Sequence, residues 1–545
     1  MKRFAISGAI AAVVSMVFAA PAAAAGAQVL TSHGDPFAAC VGVGTDVFGG
    51  VNHPGAEVEP WITDNPRDTR NLVAVWQQDR WSDGGAKGLV AGWSADGGRT
   101  WRDSVLPFSQ CAAPFGPVVP FDRASDPWVS AGPDGRIYAQ GLVFNGNDNH
   151  NGVANVTSVD GGRTWQNLRL LIDDPASDPT LPVDDKNSVT ADPRLSGVAY
   201  AVWDRGVNVA CGSAGRPKHE PEFEDHPARG SDPPALDCFQ GPTLFSRTLD
   251  GGVTWSTARE IVPVGINEET IGNQIVVNRR TGVLFDFFDF IDANNVFHGQ
   301  QVYSLDRGLT WSKPQDVDAI QSAALDPQGI GRGGVVDPRD ETVNVRTGDI
   351  IPEPAIDPVT GRLYFVWQDA RFNGSRNDQV VISTSSDPLG RTGTWSAPTL
   401  VSPRGDPAAF NPGVVVNDDG QVAVVFQDFR KLDHAPSTVL PTDVWVRVAS
   451  GPSLRFDDET HVGRTFNMLA AAQTGSGFFV GDYNSIAASA RTGAFTGVWV
   501  STNCADTSCT AIANPTGAPT GGPDPASVFT HRVAGGEDQN GDQQD

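Results

Sequence analysis

Positive charge is scarce in this chain: 39 Lys and Arg stand against 64 Asp and Glu in 545 residues, a net charge of −25. Nucleic acid and anionic membrane need basic patches to offset phosphate, and a chain with a pI near 4.6 has little to build them from. An anionic sugar is not excluded, because a few converging Arg side chains hold one carboxylate. Cysteine is scarce as well. Six Cys in 545 residues exclude a small disulfide scaffold, and no pair has the two-residue spacing of zinc sites. No apolar run beyond the first 20 residues is long enough to span a bilayer. Long helical patterns are missing too, since short β-forming runs alternate with turn residues throughout.

Lys2 and Arg3 precede a mostly apolar run from Phe4 to Ala20, followed by Pro21 and four alanines. That order predicts a secretory signal peptide over 1–25, with a retained membrane anchor as the competing reading. The mature chain is then expected to be secreted, extracellular and monomeric. An even number of Cys in an exported chain suggests three bridges, and pairing near in sequence gives Cys40–Cys111, Cys211–Cys238 and Cys504–Cys509. Residues 511–545 are rich in Gly, Pro, Asp and Gln and read as a disordered acidic tail. Within it, Asp538 to Asp542 mimics part of a calcium loop without its flanking helices, so a solvated tail is the preferred reading.

One phrase governs the rest. Ser94-Ala-Asp96-Gly-Gly-Arg-Thr-Trp101 returns at Ser158–Trp165, Thr248–Trp255 and Ser304–Trp311, and more loosely from Ser385 to Trp395. Successive Asp residues (96, 160, 250, 306, 387) lie 64, 90, 56 and 81 positions apart, so one structural unit carries loops of unequal length. The phrase has the chemistry of a tight turn: Asp caps backbone N–H groups, Gly supplies positive φ, Thr adds a hydroxyl bond and Trp anchors the turn. A second repeat precedes it, with opening strands near Glu59, Asp126, Asn187, Asn273, Pro354, Asn411 and Asn484. Such units cannot bury both faces alone, and radial stacking solves the problem. The expectation is an all-β propeller of four-stranded antiparallel blades over 26–510, seven preferred and six the alternative. The segment before Glu59, at Val41–Gly44 or Val47–Phe48, is expected to supply the outer strand that closes the ring.

The Ser-x-Asp-x-Gly-x-Thr-Trp phrase resembles the Asp-box, or BNR repeat, of the sialidase superfamily, and the chain resembles the secreted exo-α-sialidase-like proteins within it. The resemblance spans roughly residues 57–502. It implies a glycosidase using an Arg clamp on the substrate carboxylate, a Tyr nucleophile assisted by Glu, and an Asp acid/base. Carried over by position, Tyr483 is the nucleophile. Gln274 stands where the family has its assisting Glu, and the aromatic-Arg-Ile-Pro segment that supplies the first Arg is missing. Glu268 or Glu269, just upstream, is a substitute.

Propeller geometry brings the starts of inner strands and the ends of second strands to one end of the axis, opposite the repeated turns. Second strands end in Asp79-Arg80, Asp204-Arg205, Asp369-Ala-Arg371 and Asp428-Phe-Arg430. Inner strands start with Glu57 and Glu59, Arg123 and Asp126, Asp184-Asp185-Lys186, Arg346 with Asp349, and Asp482-Tyr483. Tyr483, Asp126, Asp185 and Glu268 are therefore the candidate catalytic residues. Arg80, Arg123, Arg205, Arg346, Arg371, Arg430 and Gln274 are candidates for substrate binding. Salt bridges between blades are the competing reading of the Asp-Arg pairs; Trp61 and Trp128 read as core packing, with sugar-stacking platforms as the alternative. The insertion from Gly206 to Gln240 holds His219, Glu220, Glu222, Glu224, Asp225 and His226, and reads as a solvated loop, with a lid or metal clasp as alternatives. No cofactor is expected, with a structural calcium ion left open. The leading function is hydrolysis of terminal acidic sugars on a carbohydrate or glycoconjugate. The alternatives are a binding propeller without turnover and a polysaccharide lyase acting on uronic acids.

Overall fold

A computed structural model describes residues 28–45, 49–212, 215, 238–323, 334–403, 405, 407–432, 435–451, 454–456, 458–502 and 526–534. The expected signal peptide, the Cys504–Cys509 pair, the acidic cluster of the long insertion and the calcium-like loop lie outside these residues. Helix among the described residues is confined to two short 3-10 turns, Gln110–Phe115 and Met468–Ala470. Neither is long or apolar enough to cross a membrane.

Seven four-stranded antiparallel units recur along the chain, and their innermost strands define blades 1 to 7. These strands are Glu57–Asp64, Arg123–Ala131, Val183–Ala191, Glu269–Val277, Glu353–Ile356, Ala409–Val416 and Ser485–Ala488. Each packs against the next, and that of blade 7 packs against that of blade 1, so the units close a ring. The fold is an all-β propeller. Second strands are its core. Leu72–Arg80 is buried at every position, and Trp76, Trp203, Trp367 and Trp499 are fully enclosed in blades 1, 3, 5 and 7. Each such indole removes some 150–250 Å² from water, worth roughly 4–6 kcal/mol at 25 cal/mol/Å².

The repeated turn works as its residues require. Asp96 Oδ1 accepts from the Arg99 and Thr100 amides at 3.0 and 2.9 Å, and Oδ2 from the Thr100 hydroxyl at 2.6 Å. Asp160, Asp250 and Asp306 repeat the Thr bonds. The Thr254 hydrogen bonds hold the Asp250 carboxyl below the usual range. Gly97 and Gly98 have φ of 79° and 84°, while Arg307 takes φ 60° where the three other close copies have Gly97, Gly161 and Gly251.

Ring closure differs from expectation. Blade 7 is completed by Ala526–Val533, inside the predicted tail, and by Val29–Leu30 on its outer edge. Val528 is fully buried there, whereas Val41 is 83% exposed. The Gly- and Pro-rich surroundings hide a short β-forming run that pairs along the whole of Phe495–Thr502. A further sheet lies outside the ring: Gly334–Asp337, Asp340–Arg346, Gly477–Phe479 and Ala472–Thr474, with Val345 and Phe478 paired in parallel. The bridges Cys40–Cys111 and Cys211–Cys238 are formed as expected.

Candidate functional site at the hub

Five inner strands share an irregularity near their starts. In blades 1, 2, 3, 4 and 6 one extra residue interrupts the pairing with the second strand. The residue at each slip is left-handed: Glu59 (φ 54°), Asp126 (48°), Lys186 (38°), Gly272 (72°) and Asn411 (49°). A bulge re-aims the side chains around it. Glu, Asp, Lys and Asn in this region each cost on the order of 1–3 kcal/mol, and such strain persists where the surroundings over-determine it. Three of the bulged residues precede Pro (Pro60, Pro127 and Pro412), a signal present in the sequence.

The bulges gather a charged network. Lys186 Nζ lies 2.9 Å from Asp482 Oδ2, 3.4 Å from Asp126 Oδ2 and 4.0 Å from Asp185 Oδ1, with its side chain 7% exposed. Arg346 clamps the same Asp482 through Nε at 3.1 Å and Nη2 at 2.8 Å. The Arg346 and Arg80 guanidiniums lie 4.8 and 5.0 Å from the Phe479 ring, so the additional sheet carries a cation and its aromatic partner into the hub. The threading is tight: a Cβ at Gly348 would fall 2.0 Å from the Asp482 carbonyl oxygen. Behind Asp126, the Ser125 hydroxyl donates to its Oδ1 at 2.6 Å. Gln77 Nε2 reaches Ser125 Oγ at 3.1 Å and also the Glu59 carboxylate, and Arg80 donates to Gln77 Oε1 at 2.9 Å.

Tyr483 is buried beside this network. Its ring stands edge-on to Trp61 and Trp128 at 5.8 and 5.6 Å, and the two indoles stack on each other with centroids 3.3 Å apart. Asp126, Lys186, Gln274 and Tyr483 border one small cavity of about 10 Å³, the space of roughly one water. Trp128 and Gln274 also line a larger cavity of about 170 Å³ that follows the axis past the inner strands of blades 1 to 6. Gln274 Nε2 donates to Glu353 Oε1 at 3.1 Å and to the Pro352 carbonyl at 3.3 Å. Burial pushes the Glu353 carboxyl well above its ordinary range, against the Gln274 hydrogen bond. Asp349 is pushed up to about 8 by burial and by the carboxyls of Asp378 and Asp482, with Arg346 opposing. The hub thus holds carboxyls pushed up by burial, Asp349 to about 8, beside others held by cations.

Of the residues expected at the site, Tyr483, Asp126, Asp185, Arg80, Arg346 and Gln274 come together here. The other four guanidiniums do not, and none of them lines either axial cavity. Arg123 is fully buried, bonded to Asp83 at 3.0 Å and to the Gly44 carbonyl, with Trp81 4.5 Å from its guanidinium. Arg205 pairs with Asp174 and Asp184, Arg371 with Asp369 and Asp318, and Arg430 with Asp428 and Glu459. In each of these three the carboxylate also accepts an indole N–H, from Trp203, Trp367 and Trp445 respectively. These are ties within and between blades, because each Asp is already bonded on both sides. Glu268 accepts from the Gly265 amide at 2.7 Å in a loop. Glu353, Ser125, Gln77 and Phe479 were not singled out from sequence. Only Glu353 had a signal, the acidic-Pro start it shares with Glu59 and Asp126. Among the described residues no group of three His, Cys, Asp or Glu side chains is placed to hold a metal ion.

The geometry defines a class, a closed β-propeller with a strained, charged hub. No family model matches the chain, and no curated protein matches it. Solved structures do. A Hadza microbial sialidase is 14% identical over 85% of this chain and 73% of its own, with a TM-score of 0.41. The NanB sialidase of Streptococcus pneumoniae is 9% identical over 89% and 94%, with a TM-score of 0.41. The α-L-arabinofuranosidase of Fusarium graminearum is 12% identical over 70% and 92%, with a TM-score of 0.40. Each is a likeness of fold and extends no further.

Proposed function

We propose that the protein is a glycoside hydrolase whose sugar site is the hub. In the finer form of this reading it is an exo-α-sialidase-type enzyme acting on a terminal acidic sugar. Tyr483 attacks the anomeric carbon, Asp126 is the acid/base, and Trp61 with Trp128 forms the apolar wall. The substrate carboxylate takes the place of Asp482 on Arg346. Tyr suits an anionic anomeric centre, since a neutral nucleophile is not repelled by the adjacent carboxylate. Glu353, next to Gln274, supplies from the neighbouring blade the carboxylate that Gln274 lacks and takes the phenol proton as Tyr483 attacks, while Asp126 gives its own to the leaving oxygen; burial raises the affinity of Glu353 for that proton. The observation that carries the reading is the meeting of Tyr483, Asp126, Lys186 and Gln274 around one cavity, next to left-handed Glu59, Asp126 and Lys186.

A panel of fluorogenic glycosides, α-sialoside and neutral α-arabinofuranoside included, tests it with the purified full chain. The expected result is turnover of at least one member and its loss in Tyr483→Phe with unchanged melting temperature. Turnover that survives Tyr483→Phe removes this mechanism, and no turnover by the wild type removes the enzymatic reading. One observation favours a second reading, a carbohydrate-binding propeller without turnover: the space beside Tyr483 is about 10 Å³, and Lys186 and Arg346 already face carboxylates. Saturable sugar binding without product, weakened by Trp128→Ala, identifies that case.

A further inference from the structure

A further cavity lies away from the hub. A cleft of about 930 Å³ opens on the opposite face, where inner strands end and the repeated turns lie. It spans blades 1, 2 and 7 and is bordered by four guanidiniums, Arg67, Arg70, Arg163 and Arg491. In a chain with 25 more acidic than basic residues, four Arg around one cleft is a local reversal of charge.

The carboxylates of the cleft are already engaged. Asp68 pairs with Arg70 at 3.2 Å. Asp160 is the capping residue of its turn, accepting from Thr164 at 2.6 Å. Asp134 faces Arg136 at 3.8 Å. The guanidiniums are less neutralised. Arg67 donates to the Asp134 carbonyl at 3.3 Å, and Arg163 donates to the Asp160 carbonyl and lies 4.3 Å from the Trp93 ring. Among the described residues none of Arg67, Arg163 and Arg491 has a carboxylate ion-pair partner. Arg491 is near enough to lower the Asp68 carboxyl, after the larger contribution of the Arg70 hydrogen bond. The floor is rigid, because Asn71 Nδ2 ties blade 1 to the Gly161 carbonyl of blade 2 at 3.0 Å.

We propose that this cleft binds an acidic oligosaccharide, its carboxylates on the Arg67, Arg163 and Arg491 guanidiniums and its hydroxyls along the polar rim. Guanidinium and carboxylate match two hydrogen bonds at a time. Asn65 and Asn71 are bonded to each other and to the backbone and fix the shape of the cleft, the Thr69 hydroxyl on its border suits a sugar hydroxyl, and the acidic remainder of the surface disfavours a nucleic acid. The cleft is separate from the hub and does not depend on the hub's being catalytic.

The test is calorimetric titration of the full chain with tetragalacturonate, neutral maltotetraose and inorganic sulfate. Tetragalacturonate is expected to bind, more weakly at 200 than at 50 mM salt, and maltotetraose to give no signal. Arg491→Ala with Arg163→Ala is expected to weaken binding by at least about tenfold, the lower bound set by losing a single hydrogen bond to a charged group. Arg491→Ala alone, in an exposed turn, is expected to lower affinity without changing the melting temperature, and Arg491→Lys to restore part of it. Arg99→Ala, outside the cleft, is expected to have no effect. Undiminished binding by the double variant, an equal loss in Arg99→Ala, or sulfate binding as tightly as tetragalacturonate would each overturn the proposal, as would no binding at all.

Discussion

Replacing Lys186 by Met tests the electrostatic design of the hub. The ammonium is almost wholly buried and faces Asp482, Asp126 and Asp185 at 2.9, 3.4 and 4.0 Å. Methionine fills much of the same volume but leaves three carboxylates close together out of water. Asp482 keeps Arg346 and Asp126 keeps the Ser125 hydroxyl, so the loss is less than for bare charges. Removing one partner of a buried ion pair costs about 3–5 kcal/mol. With an unfolding entropy of about 2.1 cal/mol/K per residue, a chain of this size has roughly 1.1 kcal/mol/K, so Tm is expected to fall by about 3–5 °C at pH 7. The sign of the pH dependence follows. Without the ammonium the folded carboxylates have raised pKa values, so the folded variant binds more protons than the unfolded one and gains stability as pH falls. Scanning calorimetry of Lys186→Met at pH 7 and pH 5 is expected to show the deficit shrinking at pH 5. A variant as stable as the wild type at pH 7, or an equal deficit at both pH values, would refute the reasoning.

Other outcomes follow from the same structure. Asp349, pushed up to about 8, is protonated in the folded protein and ionised in the unfolded one between about pH 5 and 7, so it makes stability fall as pH rises. Asp349→Asn is expected to remove up to about 1.4 kcal/mol per pH unit of that slope, measured by urea unfolding at pH 5, 6 and 7. Arg371→Ala strips partners from Asp369 and Asp318 and is expected to cost about 1.5–3 kcal/mol, while sugar binding at the hub, read by titration, is unchanged. Replacing Cys40 and Cys111 by Ser opens a bridge across 71 positions and is expected to cost about 4 kcal/mol from chain entropy, seen as a lower denaturant midpoint.

The parts of the fold set by local chemistry were legible. The repeated turn is read within eight residues, and Ser94, Asp96 and Thr100 bond one another as their spacing implies. Alternating short runs such as Leu72–Trp76 disclosed the second strands. What depends on partners far along the chain was not legible. Arg205 meets Asp174, 31 residues back, and Arg430 meets Glu459, 29 ahead, so Asp-Arg pairs resembled a ligand ring until the register was known. The closing strand at Ala526–Val533 was masked by the composition around it. The additional sheet joins segments more than 120 residues apart, from Asp340–Arg346 to Gly477–Phe479, and no periodicity links them. At the hub, the residue types at Asp126, Lys186 and Tyr483 were visible. The bulges that aim them arise from a one-residue excess against a second strand, marked in the sequence only by the Pro after Glu59, Asp126 and Asn411.

The most direct measurement is a crystal structure of the full chain with a saccharide that it binds in solution and that Arg491→Ala with Arg163→Ala still binds undiminished. The account predicts the sugar against Trp61, Trp128 and Tyr483, with Asp126 within hydrogen-bond distance of its glycosidic oxygen. A saccharide held away from the axis, with the Lys186–Asp482–Arg346 network untouched, would contradict it.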